Sequence, residues 1–235
     1  MITLKSVNLK FGDFVVLDSF SETYSDNIIN CIIGPSGCGK TSLLNLVSGI
    51  LGEDSGEVTK PDKVSYVFQE DSLVPQKTAR KNLELVLKTV YTDKAELKNV
   101  IDRFFTISGL ENAADLYPHQ MSGGMRQRLA LIRAFAYPSD VLLMDEPFKA
   151  LDITLKDSII TSFLDLYKEH KRTVLFVTHD IDEALLTGDQ IYIYSNKPMK
   201  QIKTYKIPGE KGKRKIYDEY ITKLKNEIHK LTETW

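Results

Sequence analysis

The chain has 235 residues, 42% apolar and 27% charged, with 31 Lys+Arg against 32 Asp+Glu for a formal charge of −1. That length permits a substantial core without disulfide staples; the composition, with no long polar tract, excludes the disordered and collagen-like classes, and the near-neutral balance argues against a general nucleic-acid binder. No apolar run approaches the roughly 18–20 residues that cross a bilayer, and Met1-Ile-Thr-Leu-Lys-Ser lacks the parts of a signal peptide, so a cytoplasmic location is expected. Cys31 and Cys38 are too few and too close for a disulfide framework or a zinc site and read as reduced thiols.

Residues 2–16 alternate loosely around Gly12-Asp13 and predict an antiparallel hairpin at one side of the core. Residues 27–33 (NIINCII), 64–68, 141–144 (VLLM) and 174–177 (VLFV) are short apolar runs, as buried parallel strands require. Between residues 78 and 137 apolar residues recur at helical spacing, as in Leu83, Val86, Leu87 and Val90, which predicts a helical subdomain inserted into a core of residues 1–77 and 138–207. Residues 208–235 read as an extension: a solvated linker with Lys211, Lys213, Arg214 and Lys215, then a helix carrying Tyr217, Tyr220, Ile221, Leu224, Ile228 and Leu231 on one face. Strands alternating with helices give an α/β fold around a largely parallel sheet.

Gly34-Pro35-Ser36-Gly37-Cys38-Gly39-Lys40-Thr41-Ser42 contains the full G-x-x-x-x-G-K-[ST] pattern, after an apolar strand and before a helical run. The glycines let the backbone turn tightly, so that successive N–H groups point at a polyphosphate at the open N-terminus of the next helix. Lys40 supplies a point charge for the β- and γ-phosphates and Thr41 a hydroxyl for Mg²⁺. Asp145 and Glu146 end the strand 141–144, where open α/β sheets bind ligands. Asp145 is placed to hold the metal and Glu146 to polarise an attacking water. His179 ends the strand 174–177 in the same way, and Gln69 follows the strand 64–68 at the entry to the helical stretch, in reach of the metal site. Ser122-Gly123-Gly124 precedes another helix and forms a second exposed helix N-terminus.

Met121-Ser-Gly-Gly-Met-Arg-Gln-Arg128 resembles the signature motif of ATP-binding cassette (ABC) ATPases. The resemblance extends in order through the phosphate loop, Gln69, the signature, Asp145-Glu146, Ala150-Leu151-Asp152 and His179. It implies a P-loop NTPase core of RecA-like type with an antiparallel N-terminal β subdomain and an α-helical insert. ATP and Mg²⁺ are the implied ligands, with the phosphate loop, Lys40, Thr41 and Ser42 on the nucleotide, Phe11 stacked on adenine, Thr41, Gln69 and Asp145 on the metal, and Glu146, His179, Gln69 and Lys40 in catalysis. Two copies would face each other head to tail, closing ATP between the phosphate loop of one and Ser122, Gly123 and Gly124 of the other, with Asp152 at the interface. The segments around Tyr117-Pro-His-Gln-Met-Ser and Phe68-Gln-Glu are similar to importer ATPases for nitrate, sulfonates, taurine and thiamine precursors. That subgroup implies integral membrane permease subunits as partners, an extracytoplasmic solute-binding protein beyond them, no nucleic acid, and a place at the cytoplasmic face of the membrane. An exporter subunit, sharing every catalytic motif, and a soluble ABC ATPase acting on nucleic acid or ribosomes are the alternatives. Lys149 departs from the pattern, where a small residue is usual, and puts a cation near the expected dimer interface.

Overall fold

The computed structural model of the chain describes residues 1–149 and 153–233. Asp152, expected at the dimer interface, lies outside the described residues.

Two sheets organise the described residues. The smaller is antiparallel in the order β2-β1-β4, with β1 Ile2–Phe11, β2 Phe14–Tyr24 and β4 Ser55–Thr59. The larger has the order β5-β6-β7-β3-β8-β9, with β3 Ile29–Ile33, β5 Val64–Val67, β6 Val141–Asp145, β7 Thr173–Val177, β8 Gln190–Tyr194 and β9 Gln201–Lys206. Its neighbours pair in parallel except β9, which runs antiparallel to β8. The hairpin expected around Gly12-Asp13 is present, with a second strand running on to Tyr24.

Every residue of β3, β6 and β7 is buried, which is why these strands read as unbroken apolar runs. Period two divides their side chains between two cores. Ile32, Val141, Leu143, Leu175 and Val177 pack with the antiparallel sheet and α1 (Lys40–Ser48). Cys31, Ile33, Leu142, Met144, Val174 and Phe176 pack with the helices of the opposite face. Between β5 and β6 the described chain holds α2 Ala79–Leu87, α3 Lys94–Ser108 and α4 Gly123–Ala136, joined by two short 3₁₀ turns. α5 Ile153–Glu169 and α6 Ile181–Thr187 complete that face.

The C-terminal reading needs two corrections. α7 (Glu219–Thr232) buries Ile221, Leu224 and Ile228, but Tyr217 precedes the helix and both it and Tyr220 are exposed. The basic cluster is not a plain solvated linker either. Arg214 is buried and donates to the carbonyls of Leu185 at 3.1 Å, Gly188 at 2.5 Å and Ile207 at 3.1 Å, while Lys211 pairs with Asp189. A guanidinium with five donors can satisfy several buried carbonyls at once, so the arginine clasps α6 to the strand edge.

Candidate active site

The carboxyl ends of β6, β7 and β3 lie side by side in the sheet, and each leads directly into a segment with polar chemistry. After β3 the chain turns through the phosphate loop into α1. Gly37 and Gly39 have φ of 74° and 123°, a region in which a Cβ is strained, and among the described residues no side chain caps the helix N-terminus at Gly39. Lys40 is buried and its ammonium donates to the carbonyls of Gly34 at 2.7 Å and Pro35 at 2.9 Å. Thr41 Oγ1 donates to Asp145 Oδ2 at 2.8 Å, which joins the loop to the end of β6. Burial raises the Asp145 pKa, only partly offset by Thr41 and the nearby lysines. Cys38 is fully buried and its thiol is pushed up by burial, with Lys40 drawing it partly back, so only its backbone is available to a ligand.

Glu146 follows Asp145 at φ 46°, a left-handed conformation in a non-glycine residue, while its N–H still donates to Val177 O at 2.9 Å. The carboxylate is engaged on both sides. Lys149 Nζ stands 2.7 Å from Oε2, and His179 Nδ1, beyond β7, stands 3.4 Å from Oε1. Burial alone would raise its pKa, but Lys149 and His179 outweigh that and hold the carboxyl below its ordinary range.

These groups share a cavity of about 380 Å³. Phe11, Ser36, Gly37, Gly39, Lys40, Thr41, Ser42, Gln69, Asp145 and Glu146 all line it. Phe11 is 48% exposed at the end of β1, so its ring is a free face and not a core aromatic of the hairpin. Gly34, Pro35 and Cys38 form the back of the loop, and His179 reaches the site through Glu146. Sequence reasoning missed Lys197 and Val16, which also line the cavity. Met199 N–H donates to Val16 O at 2.9 Å, fastening the loop between β8 and β9 over the phosphate loop, a contact that follows from tertiary structure alone. It also placed Lys149 only near an interface, whereas the side chain lies on Glu146. A larger cleft of about 600 Å³ beside Asn27, Asp189 and Lys211 lies at the amino ends of β3 and β8, the wrong end of a parallel sheet for ligand chemistry.

The Ser122-Gly123-Gly124 turn is elsewhere and does not line this cavity. Ser122 caps α4, accepting from Met125 N at 3.3 Å, and Ser122 and Gly123 are exposed. Gly124 is buried against α5, where a Cβ would stand 2.4 Å from Leu155 Cδ1. α4 is strapped to the segment after Gln69: Arg126 Nε donates to Asp71 Oδ2 at 3.0 Å, and Arg133 to the carbonyls of Ser72 at 2.8 Å and Asp71 at 3.0 Å. Gln127 bonds the Pro147 carbonyl just beyond Glu146. One helix therefore carries the second anion-type turn at one end and touches both the Gln69 and Glu146 segments along its length.

Comparison with known proteins agrees with this geometry. The family model described as ABC transporter matches residues 17–149. The nitrate import ATP-binding protein NrtD of Synechococcus elongatus is 36% identical over 231 residues, covering 92% of this chain and 84% of that protein. The formylaminopyrimidine import ATP-binding protein ThiZ of Halalkalibacterium halodurans is 33% identical over 233 residues, covering 98% and 94%. Among solved structures, the dimeric post-hydrolysis state of the ATP-binding cassette MJ0796 bound to ADP and Pi aligns with a TM-score of 0.76 at 30% identity, covering 89% of this chain and 100% of that one. With the phosphate loop, the strand-end carboxylates and the signature helix arranged as described, the chain belongs to the ABC transporter family and is an ATP-hydrolysing cassette of it.

Proposed function

We propose that this cassette powers a membrane importer of a small anionic or vitamin-like solute by hydrolysing ATP between two copies of itself. The observation that carries the catalytic half is the convergence of Lys40, the Thr41–Asp145 pair and Glu146 on one cavity at the carboxyl ends of adjacent parallel strands. Phe11 offers an aromatic face to the adenine, and the glycine-rich backbone with Lys40 takes the phosphates. The residues fit Mg²⁺: a threonine hydroxyl, a carboxylate and the Gln69 amide are hard oxygen donors, too few to hold the ion without phosphate oxygens, as is usual for this metal. When bound, the metal neutralises charge on the β- and γ-phosphate oxygens. Glu146 accepts the proton of the attacking water, and His179 at its other edge supports the developing charge on the γ-phosphoryl oxygens.

Ser122, Gly123 and Gly124 do not line the cavity of their own phosphate loop, and Ser122 and Gly123 are exposed, which supports a second copy supplying the turn. Ser122, Gly123 and Gly124 of each copy would close on the triphosphate held by the other, with Asp152 at the seam. Triphosphate bound better by the closed pair than by the open one stabilises the closed pair, and cleavage releases it. The import reading rests on relatives named for nitrate import and formylaminopyrimidine import, beside one named for bicarbonate transport. It implies integral membrane permease subunits that move with the segment after Gln69, a solute-binding protein on the far side, and residence of this chain at the cytoplasmic face of the membrane. No helix among the described residues is long and apolar enough to cross a bilayer, so attachment would run through the permease.

Glu146→Gln tests the catalytic assignment. The variant should bind ATP with wild-type affinity, measured with a fluorescent analogue, and lose steady-state hydrolysis by on the order of 10²-fold or more. Turnover within a few-fold of wild type would remove Glu146 from the chemistry.

A further inference from the structure

Lys149 sits one turn beyond Glu146, and the turn is closed by its own N–H donating to the Glu146 carbonyl at 3.2 Å. That closure sends the lysine side chain back across the carboxylate, where Nζ reaches Oε2 at 2.7 Å while His179 Nδ1 flanks Oε1 at 3.4 Å. Glu146 also has its backbone fixed in the left-handed region and its N–H bonded to β7, so the carboxylate can be re-aimed only through its side-chain torsions. A contact that holds those torsions holds the base. The Glu146 side chain is 14% exposed whereas that of Lys149 is 45% exposed and borders the cavity, so the ammonium can leave without moving the backbone. An i,i+3 ion pair of this exposure is weak enough to open and strong enough to bias a rotamer.

We propose that Lys149 is a positioning residue that tethers the Glu146 carboxylate away from hydrolytic alignment, and that the tether must open before Oε2 can face a water at the end of the triphosphate. The proposal rests on the reading of Glu146 as the group that activates water. Opening draws on the same cavity that receives the triphosphate, since an anion arriving beside Lys40 and Lys149 competes with Glu146 for the ammonium.

The test is steady-state ATP turnover by the full chain, with kcat separated from KM. Lys149→Ser should raise kcat by about two- to fivefold with KM for ATP unchanged, and Lys149→Arg, which keeps a cation in reach of Oε2, should return kcat to the wild-type value. In a Glu146→Gln background, Lys149→Ser should change nothing, because there is no carboxylate to release. A lower kcat or a higher KM for Lys149→Ser would overturn the tether and make the ammonium a ligand of the triphosphate, and unchanged kinetics, or Lys149→Arg behaving like Lys149→Ser, would overturn it as well. Failure of the underlying assignment looks different: Glu146→Gln then turns over ATP by itself, whereas an inactive Glu146→Gln beside an unaltered Lys149→Ser removes the tether alone.

Discussion

Gly39 and Gly37 show how differently two glycines of one loop are constrained. At Gly39 a Cβ would stand 2.5 Å from Val16 Cγ1 on a backbone with φ 123°, whereas at Gly37 nothing lies within 4 Å and only φ 74° opposes a side chain. Gly39→Ala should therefore cost about 1–3 kcal/mol in urea unfolding and abolish nucleotide binding, while Gly37→Ala should cost about 1 kcal/mol from backbone strain alone. Equal losses would show that packing against Val16 plays no part. Much at this scale was legible in the sequence, because phosphate binding needs a particular order of glycine, lysine and hydroxyl, and that order survives in one dimension. The left-handed Glu146 was not, since nothing in Met144-Asp145-Glu146-Pro147 signals a positive φ. Neither was the grip of Lys149 on Glu146, which depends on a turn closing between them.

Among the elements, the segment after Gln69 is held by α2 as well as by the arginines of α4. Asn82 is fully buried, accepts from Val74 N at 2.8 Å, and donates to the carbonyls of Val74, Lys77 and Thr78 at 3.1–3.2 Å. Asn82→Ala strips partners from several of these backbone groups, and a loss of about 1–3 kcal/mol in unfolding free energy should accompany faster hydrogen exchange at the Val74 amide. Unchanged exchange there would mean that α4 alone fixes the segment. A second clamp lies beyond His179: Lys156 of α5 stands 2.8 Å from both Asp180 and Glu183, and Asp180 caps α6 through Asp182 N and Glu183 N. It fixes the backbone that carries the histidine from the side of α5. The strands most easily read were those buried on both faces. β4 and β9 escaped because their residues are almost all exposed and carry no apolar alternation, and β8, Gln-Ile-Tyr-Ile-Tyr, hides buried tyrosines that resemble a half-polar strand. One of those rings explains its burial: Tyr194 bonds the buried Tyr24 hydroxyl at 2.8 Å and donates to Glu22 at 2.9 Å, joining the two sheets.

For the whole molecule, the decisive feature is that the nucleotide cavity and the Ser122-Gly123-Gly124 turn of one chain do not meet, which on the proposed reading leaves the site to be completed by a second copy. The larger sheet gathers the phosphate loop, Asp145, Glu146 and Gln69 around a cavity, while α4 directs Ser122 and Gly123 to another surface. Strand order and the separation of these two surfaces could not be read from sequence, because they depend on how parallel crossovers stack and not on any local pattern. On the proposed reading, the exposed turn at the start of α4 in one copy closes on the triphosphate cavity of the other. The direct measurement is the mass of the Glu146→Gln chain by sedimentation with ATP and Mg²⁺, where one copy is 26.7 kDa. Twice that mass is expected with ATP, and a single copy without nucleotide or with ADP. A single copy that retains ATP uncleaved at saturation would contradict the pairing.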